Sequence, residues 1–191
     1  MFERLAIPDV VLVRPPRFGD HRGFFSETFH AARYDQGGIS GPFVQDNHSM
    51  SAEVGTLRGL HFQIDPSAQG KLVRCTVGRV LDVAVDIRVG SPTYGQHVSA
   101  ELTADGGEQI FVPVGFAHGF VTNTPHAEVQ YKVTNYYDKE ADRGLAWDDP
   151  ALGIDWQLKG AAPVLSEKDQ AHPRLADLPS YFTYQGPEEA V

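Results

Sequence analysis

The chain reads as an all-β protein, a jelly-roll barrel with a few short peripheral helices. Three observations carry this: its apolar runs are short, residues alternate within them, and turn formers fall between them. The 191 residues include 19 Gly and 13 Pro, and these lie mostly in the gaps. In chain order, Lys71-Leu72-Val73-Arg74-Cys75-Thr76-Val77 predicts a strand that turns at Gly78-Arg79. Val80 to Ile87 predicts the next, with Leu81, Val83, Val85 and Ile87 on one face and Asp82, Ala84 and Asp86 on the other. Gly90-Ser91-Pro92-Thr93 is a turn before a strand from Gln96 to Leu102, and Gly106-Gly107 leads into Gln109 to Val112. Phe120 to Asn123 and Glu128 to Asn135 complete the central set. Helix signals are weak: His30 to Gln36 predicts one short helix, and Ser166-Glu167-Lys168-Asp169 the start of another. The polar tail, 180–191, predicts loose order after Pro179.

Length and composition narrow the class. A chain of 191 residues fits one domain, 1–191, and 41% apolar with 21% charged residues is ordinary for a folded protein. Pro8 and Asp9 interrupt the apolar N-terminus, and the longest other apolar stretch, near Ile110 to Val121, is too short to span a bilayer. Neither a leader nor membrane attachment is expected. Cys75 is the only cysteine, so no intrachain disulfide forms and the cytoplasm is the default location. The net charge of −9 argues against nucleic acid as a partner. An anionic small molecule would need a local basic pocket to overcome that field.

Several polar residues fall inside apolar strands. His61 lies in Arg58-Gly59-Leu60-His61-Phe62-Gln63, and on a regular strand it shares a face with Leu57 and Gln63. Spacing alone favours a satisfied core histidine, with a general base as the sharper reading. Lys71 has the parity of Val73 and Cys75; it either snorkels to water from the strand end or stabilises an oxyanion. Tyr131 alternates with Val129 and Val133, which suits core packing or a buried proton donor. Asp169 with Ser166 fits a Ser-x-x-acid capping box, the commoner meaning of that spacing. On a regular strand Arg58 and His61 point to opposite faces, unless a bulge at Gly59 turns both inward.

Pro113-Val114-Gly115-Phe116-Ala117-His118 resembles the second motif of cupin barrels. The first cupin motif requires His-x-His, whereas this chain has His61-Phe62-Gln63. An amide is a poor ligand for Zn²⁺, Fe²⁺ or Mn²⁺, so no metal and no cofactor are expected. The rival from that direction is a metal-dependent cupin enzyme.

Together the segments resemble the dTDP-4-dehydrorhamnose 3,5-epimerase family, a cupin-like jelly roll. The resemblance rests on Phe18-Gly19-Asp20-His21-Arg22-Gly23-Phe24-Phe25-Ser26-Glu27, Val44 to Ser49, Leu57 to Gln63, Gln69 to Arg74 and Asp82 to Arg88. Gly115 to Phe120, Tyr131 to Tyr137 and Leu165 to Asp169 continue it in order. It implies epimerisation at C3 and C5 of dTDP-4-dehydro-6-deoxy-D-glucose to dTDP-4-dehydro-L-rhamnose, or inversion at only one of those carbons in a related dTDP-4-keto-6-deoxyhexose. By resemblance His61 is the base, Asp169 its partner, Tyr131 the acid on the opposite face, and Lys71 the cation near the keto oxygen. Arg58 and His118 fall in the sugar pocket. Arg22, Glu27, Gln45 and Asn47 match nucleotide and diphosphate contacts, and Phe18 and Tyr136 match aromatic contacts to the base. The resemblance also implies a homodimer in which residues 1–30 contact the partner subunit, with a catalytic jelly roll over 18–169.

Overall fold

The alternating segments form strands that sit within a residue or two of their expected ends, although Phe116–Thr122 starts four residues before the predicted Phe120. The computed structural model describes residues 1–186. Its elements are β1 (Phe2–Arg4), β2 (Val11–Val13), β3 (Phe18–Asp20), β4 (Gly23–Phe25), α1 (Ala31–Gln36), β5 (Gln45–Ser51), β6 (Leu57–Gln63) and β7 (Lys71–Val77). There follow β8 (Arg79–Asp86), β9 (Arg88–Val89), β10 (His97–Thr103), β11 (Gln109–Val112), β12 (Phe116–Thr122), β13 (Ala127–Val133), β14 (Asp142–Gly144) and β15 (Phe182–Thr183). Two antiparallel sheets face each other, ordered β1-β2-β11-β7-β13-β5 and β10-β8-β12-β6-β14. This is the all-β jelly-roll arrangement that the strand spacing predicts.

Three apolar layers hold the sheets. Between them lie Val73, Cys75, Ile110 and Val129 from one sheet and Ala84, Val98, Phe116 and Phe120 from the other. Leu57, Leu60, Phe62, Leu81, Val83 and Val85 cover the far face of the second sheet and pack on Leu145, Trp156 and Phe182. Tyr34 and Ile39, on and after α1, cap Val11, Val13 and Leu72 on the far face of the first. Strand β8 is therefore buried on both faces. Its acidic face points into the sandwich, where Asp82 and Asp86 are fully buried. Buried carboxylates need partners, and Asp86 accepts from Ser91, Thr93 and Arg88.

Three expectations are corrected. Leu57 does not share a face with His61, because it lies in the outer layer with Leu60 and Phe62. The pairing of β6 with β12 shifts between His118 and Phe120, so that His61 opposes His118 and Arg58 opposes Phe120. His118 and Phe120 share a face, so Arg58 and His61 both point inward, which is the bulge at Gly59 in physical form. Second, Ser166 to Asp169 starts a turn and not a helix. Third, the tail is not wholly loose: β15 pairs in parallel with β9 and buries Phe182. Residues 187–191 of that tail lie outside the described residues. No helix among the described residues is long and apolar enough to cross a membrane.

Gly59 has φ +131°, and a Cβ there would stand 2.6 Å from the Gly119 Cα and 2.8 Å from the His118 carbonyl oxygen. Backbone clashes of this kind cannot be relieved by a rotamer change. Gly59→Ala is expected to cost about 2–3 kcal/mol and lower Tm by roughly 4–12 °C in thermal denaturation; an unchanged Tm would refute the close crossing.

Candidate active site

Strand register brings the polar residues together. On the first sheet, Asn47, Tyr131 and Val73 form one row across β5, β13 and β7, and Gln45, Val133 and Lys71 form the next. Neighbours in a row share a face, so Gln45, Asn47, Lys71 and Tyr131 all point toward the second sheet. That sheet answers with the row His61, His118 and Ala84. Between them is a cavity of about 250 Å³ lined by Gln45, Asn47, His61, Lys71 and Tyr131, with Tyr137, Asp142 and Lys168 at its edge.

Behind His61, its Nε2 lies 2.6 Å from Asp169 Oδ1. The Ser166 hydroxyl donates to the other carboxylate oxygen at 2.7 Å, and the Asp169 N–H donates to Ser166 Oγ at 3.2 Å. The Ser166–Asp169 spacing thus makes side-chain contacts without capping a helix, and it aims the carboxylate at His61. Burial disfavours the Asp169 charge, yet the hydrogen bonds from His61 and Ser166 outweigh it and hold the carboxyl down to about 2. An ionised carboxylate only accepts. The bridging proton belongs to His61 Nε2, and the lone pair of the neutral ring sits on Nδ1.

Electrostatics tune the remaining groups. Burial lowers the His61 pKa below the ordinary imidazole value; the Asp169 bond opposes this and Lys71 reinforces it. Lys71 Nζ donates to the His61 carbonyl at 3.2 Å. Burial brings this ammonium down to about 8, against the pull of Asp142 and Asp82. Burial raises the Tyr131 phenol, against Arg58, so it stays protonated at neutral pH. The site thus sets an imidazole and a phenol, both favoured in their neutral forms, beside the Lys71 ammonium.

The other expected residues divide into two groups. His118 Nε2 sits 2.9 and 3.0 Å from the two oxygens of Asp82, a buried pair next to His61. Arg58 reaches Ser51 Oγ and the Met50 carbonyl at the rim. By contrast, Phe18, Arg22 and Glu27 do not reach the cavity within this chain. Phe18 is 64% exposed, Arg22 pairs with Asp20, and Glu27 pairs with Arg33. Tyr136 is also solvent-facing at 65%, and its neighbour Tyr137 lines the cavity instead, its hydroxyl donating to Asp142 at 3.1 Å. A larger hollow of about 520 Å³ lies against Arg74, Gln130, Lys132 and Phe29. Among the described residues it holds no base oriented by a buried carboxylate, so the smaller cavity is the candidate active site. Asp82 and Tyr137 escape sequence reasoning; of these only Asp82, an acid inside an apolar strand, leaves a signal there.

Comparison with known proteins bears on this geometry. Residues 4–177 match the family model described as dTDP-4-dehydrorhamnose 3,5-epimerase. The dTDP-4-dehydrorhamnose 3,5-epimerase of Sinorhizobium fredii is 56% identical over 96% of this chain and 93% of its own. The Pseudomonas aeruginosa protein of the same name is 53% identical over 91% and 95%. A crystal structure of dTDP-6-deoxy-D-glucose-3,5-epimerase from Legionella pneumophila, in complex with dTDP-4-keto-L-rhamnose, superposes with a TM-score of 0.92 at 44% identity, covering 97% of this chain and 98% of that one.

The depressed Asp169 carboxyl makes a pH prediction. A carboxyl lowered on folding adds stability that is present above its unfolded value near 4 and is lost as pH falls toward about 2. Urea unfolding of the wild type and Asp169→Asn is expected to show a stability gap that shrinks by about 2 kcal/mol between pH 5 and pH 2. A gap independent of pH would contradict the depressed carboxyl.

Proposed function

This chain belongs to the dTDP-4-dehydrorhamnose 3,5-epimerase family, and we propose that it inverts C3 and C5 of dTDP-4-dehydro-6-deoxy-D-glucose to give dTDP-4-dehydro-L-rhamnose. The observation that carries this reading is the oriented His61–Asp169 pair sharing one cavity with Tyr131 and Lys71.

Both carbons flank the C4 ketone, so the same chemistry serves each. His61 Nδ1 takes the proton from the carbon, and the bonding pair moves onto the carbonyl oxygen as an enolate. That charge develops beside Lys71, whose ammonium is already in place in a partly dried cavity, usually the largest single contribution to such a step. Tyr131 then delivers a proton to the opposite face, the enolate collapses to the ketone, and configuration is inverted. The imidazolium returns its proton to solvent and the phenolate regains one. Proton removal and return leave the sugar's oxidation level unchanged, so the balance requires no oxidant or reductant. Asp169 supports the cationic imidazole as it forms and keeps its lone pair on the working nitrogen.

Gln45, Asn47, Arg58 and His118 are assigned to holding the substrate. Of the nucleotide contacts, Phe18, Arg22 and Glu27 lie too far out to serve their own cavity and act across a homodimer, residues 1–30 of one subunit reaching its neighbour's site; Tyr136 serves its own chain, next to the cavity-lining Tyr137. The patch of Phe18, Phe24 and Phe25, 64, 62 and 69% exposed, supports this, since such apolar surface on a lone chain is costly. A cytoplasmic location fits the lone buried Cys75.

Proton NMR in D₂O tests the reaction. Wild-type enzyme is expected to incorporate deuterium at both C3 and C5, and His61→Asn to lose uptake by about 10²–10⁴-fold; wild-type exchange in that variant would overturn the base, and uptake at one carbon only would mark a mono-epimerase. The pH profile of kcat/KM tests the cation. It is expected to rise as His61 loses its proton, below the ordinary imidazole value, and to fall near pH 8 as Lys71 is neutralised. Lys71→Arg should move the basic limb beyond the accessible range, because a guanidinium stays charged; an unmoved limb would exclude Lys71 as its origin.

A further inference from the structure

A second imidazole stands beside the His61–Asp169 pair, outside the lining of the sugar cavity. The His172 side chain is only 9% exposed, and its Nε2 lies 3.9 Å from Asp169 Oδ1. That nitrogen is buried without a hydrogen-bond partner among the described residues. Its ring meets His61 edge to face, with centroids 5.5 Å apart and planes at 82°. One ligand atom each from His61, Asp169 and His172 lie within 4.8 Å of one another. A buried polar atom left unpaired costs free energy and calls for an explanation.

We propose that His61, Asp169 and His172 form a site for a divalent transition-metal ion, and that occupancy switches the epimerase off by capturing its base. Two imidazoles and a carboxylate are a ligand set for zinc and its neighbours, not for the oxygen-seeking magnesium or calcium ions. Zinc bonds of about 2.0–2.2 Å in a tetrahedron place ligand atoms roughly 3.3 Å apart. The 2.6 Å and 3.9 Å separations to Asp169 Oδ1 bracket that value and the three atoms lie within 4.8 Å of one another, so side-chain shifts of roughly an ångström would complete the set. Support beyond the ligands already exists. Ser166 fixes the free oxygen of Asp169, and the His172 ring lies so close to Gly144 that any Cβ there would overlap it.

The inhibitory effect rests on the proposed role of His61 and follows from proton accounting. A neutral imidazole has one lone pair. When Nε2 gives that pair to the metal, the ring proton shifts to Nδ1, and no proton leaves the protein. Nδ1 is the nitrogen that must accept the proton from the sugar, so the base is capped.

Zinc chloride is the probe, titrated calorimetrically and in the deuterium-exchange assay against wild type, His172→Ala and His172→Gln. The expected result is one zinc per wild-type chain, turnover suppressed at least ~10-fold and restored by chelator. Both variants should keep wild-type basal turnover while zinc binding weakens at least ~10-fold. Zinc held by the substrate diphosphate would affect all three proteins equally. Absence of binding, or equal inhibition of wild type and variants, would overturn the proposal. Binding that depends on His172 but leaves turnover intact would overturn the inhibitory part; retained exchange in His61→Asn would then show that the base assignment had failed too.

Discussion

One buried carboxylate decides what this cavity can do. Asp169 stays ionised against the cost of burial because His61 and Ser166 both donate to it. Being ionised, it cannot donate, so it dictates the histidine tautomer and hence which nitrogen holds the lone pair. Without that constraint the ring would be a buried histidine with two interchangeable nitrogens, the plain reading that its spacing alone favours. The barrel buries the carboxylate while His61 lines the cavity.

The two sheets divide the work. The first presents Lys71, Tyr131, Gln45 and Asn47 in adjacent register rows, so their spacing is set by backbone hydrogen bonds and not by flexible loops. The second presents His61 beside the buried His118–Asp82 pair. Opposed sheets supply opposed faces, and inversion at carbon needs groups on opposite faces of the sugar. Desolvation then acts on all three titratable groups in the useful direction. It keeps the imidazole unprotonated and the phenol protonated, and it lowers the ammonium toward neutrality without discharging it at pH 7.

Much of this was legible in the chain. Lys71 to Val77 alternates cleanly, so both the strand and the inward parity of Lys71 follow from it, and Tyr131 is inward for the same reason. The Leu57–His61 segment misleads because period-two reasoning assumes a regular strand, and the register shift at Gly59 breaks that assumption. Asp169 carries two meanings in one residue. Its spacing from Ser166 suggests a helix cap where the fold has a turn, and its contact with His61 spans 108 residues of sequence, so only the family resemblance suggested it. His172 had no such guide, since it belongs to no periodic element. Burial, the largest influence on His61, is likewise a property of the folded layers and not of neighbours in sequence. A weighing of Asp169 against Lys71 alone leaves the imidazole poised near neutrality, whereas the fold pushes it lower.

Asp169 fixes the neutral His61 ring with its proton on Nε2 and its lone pair on Nδ1. Nitrogen-15 NMR of imidazole-labelled enzyme, at a pH where His61 is neutral, reads this directly. The account predicts a protonated Nε2 and a bare Nδ1, with that preference lost in Asp169→Asn. A His61 ring carrying its proton on Nδ1 in the wild type would contradict it.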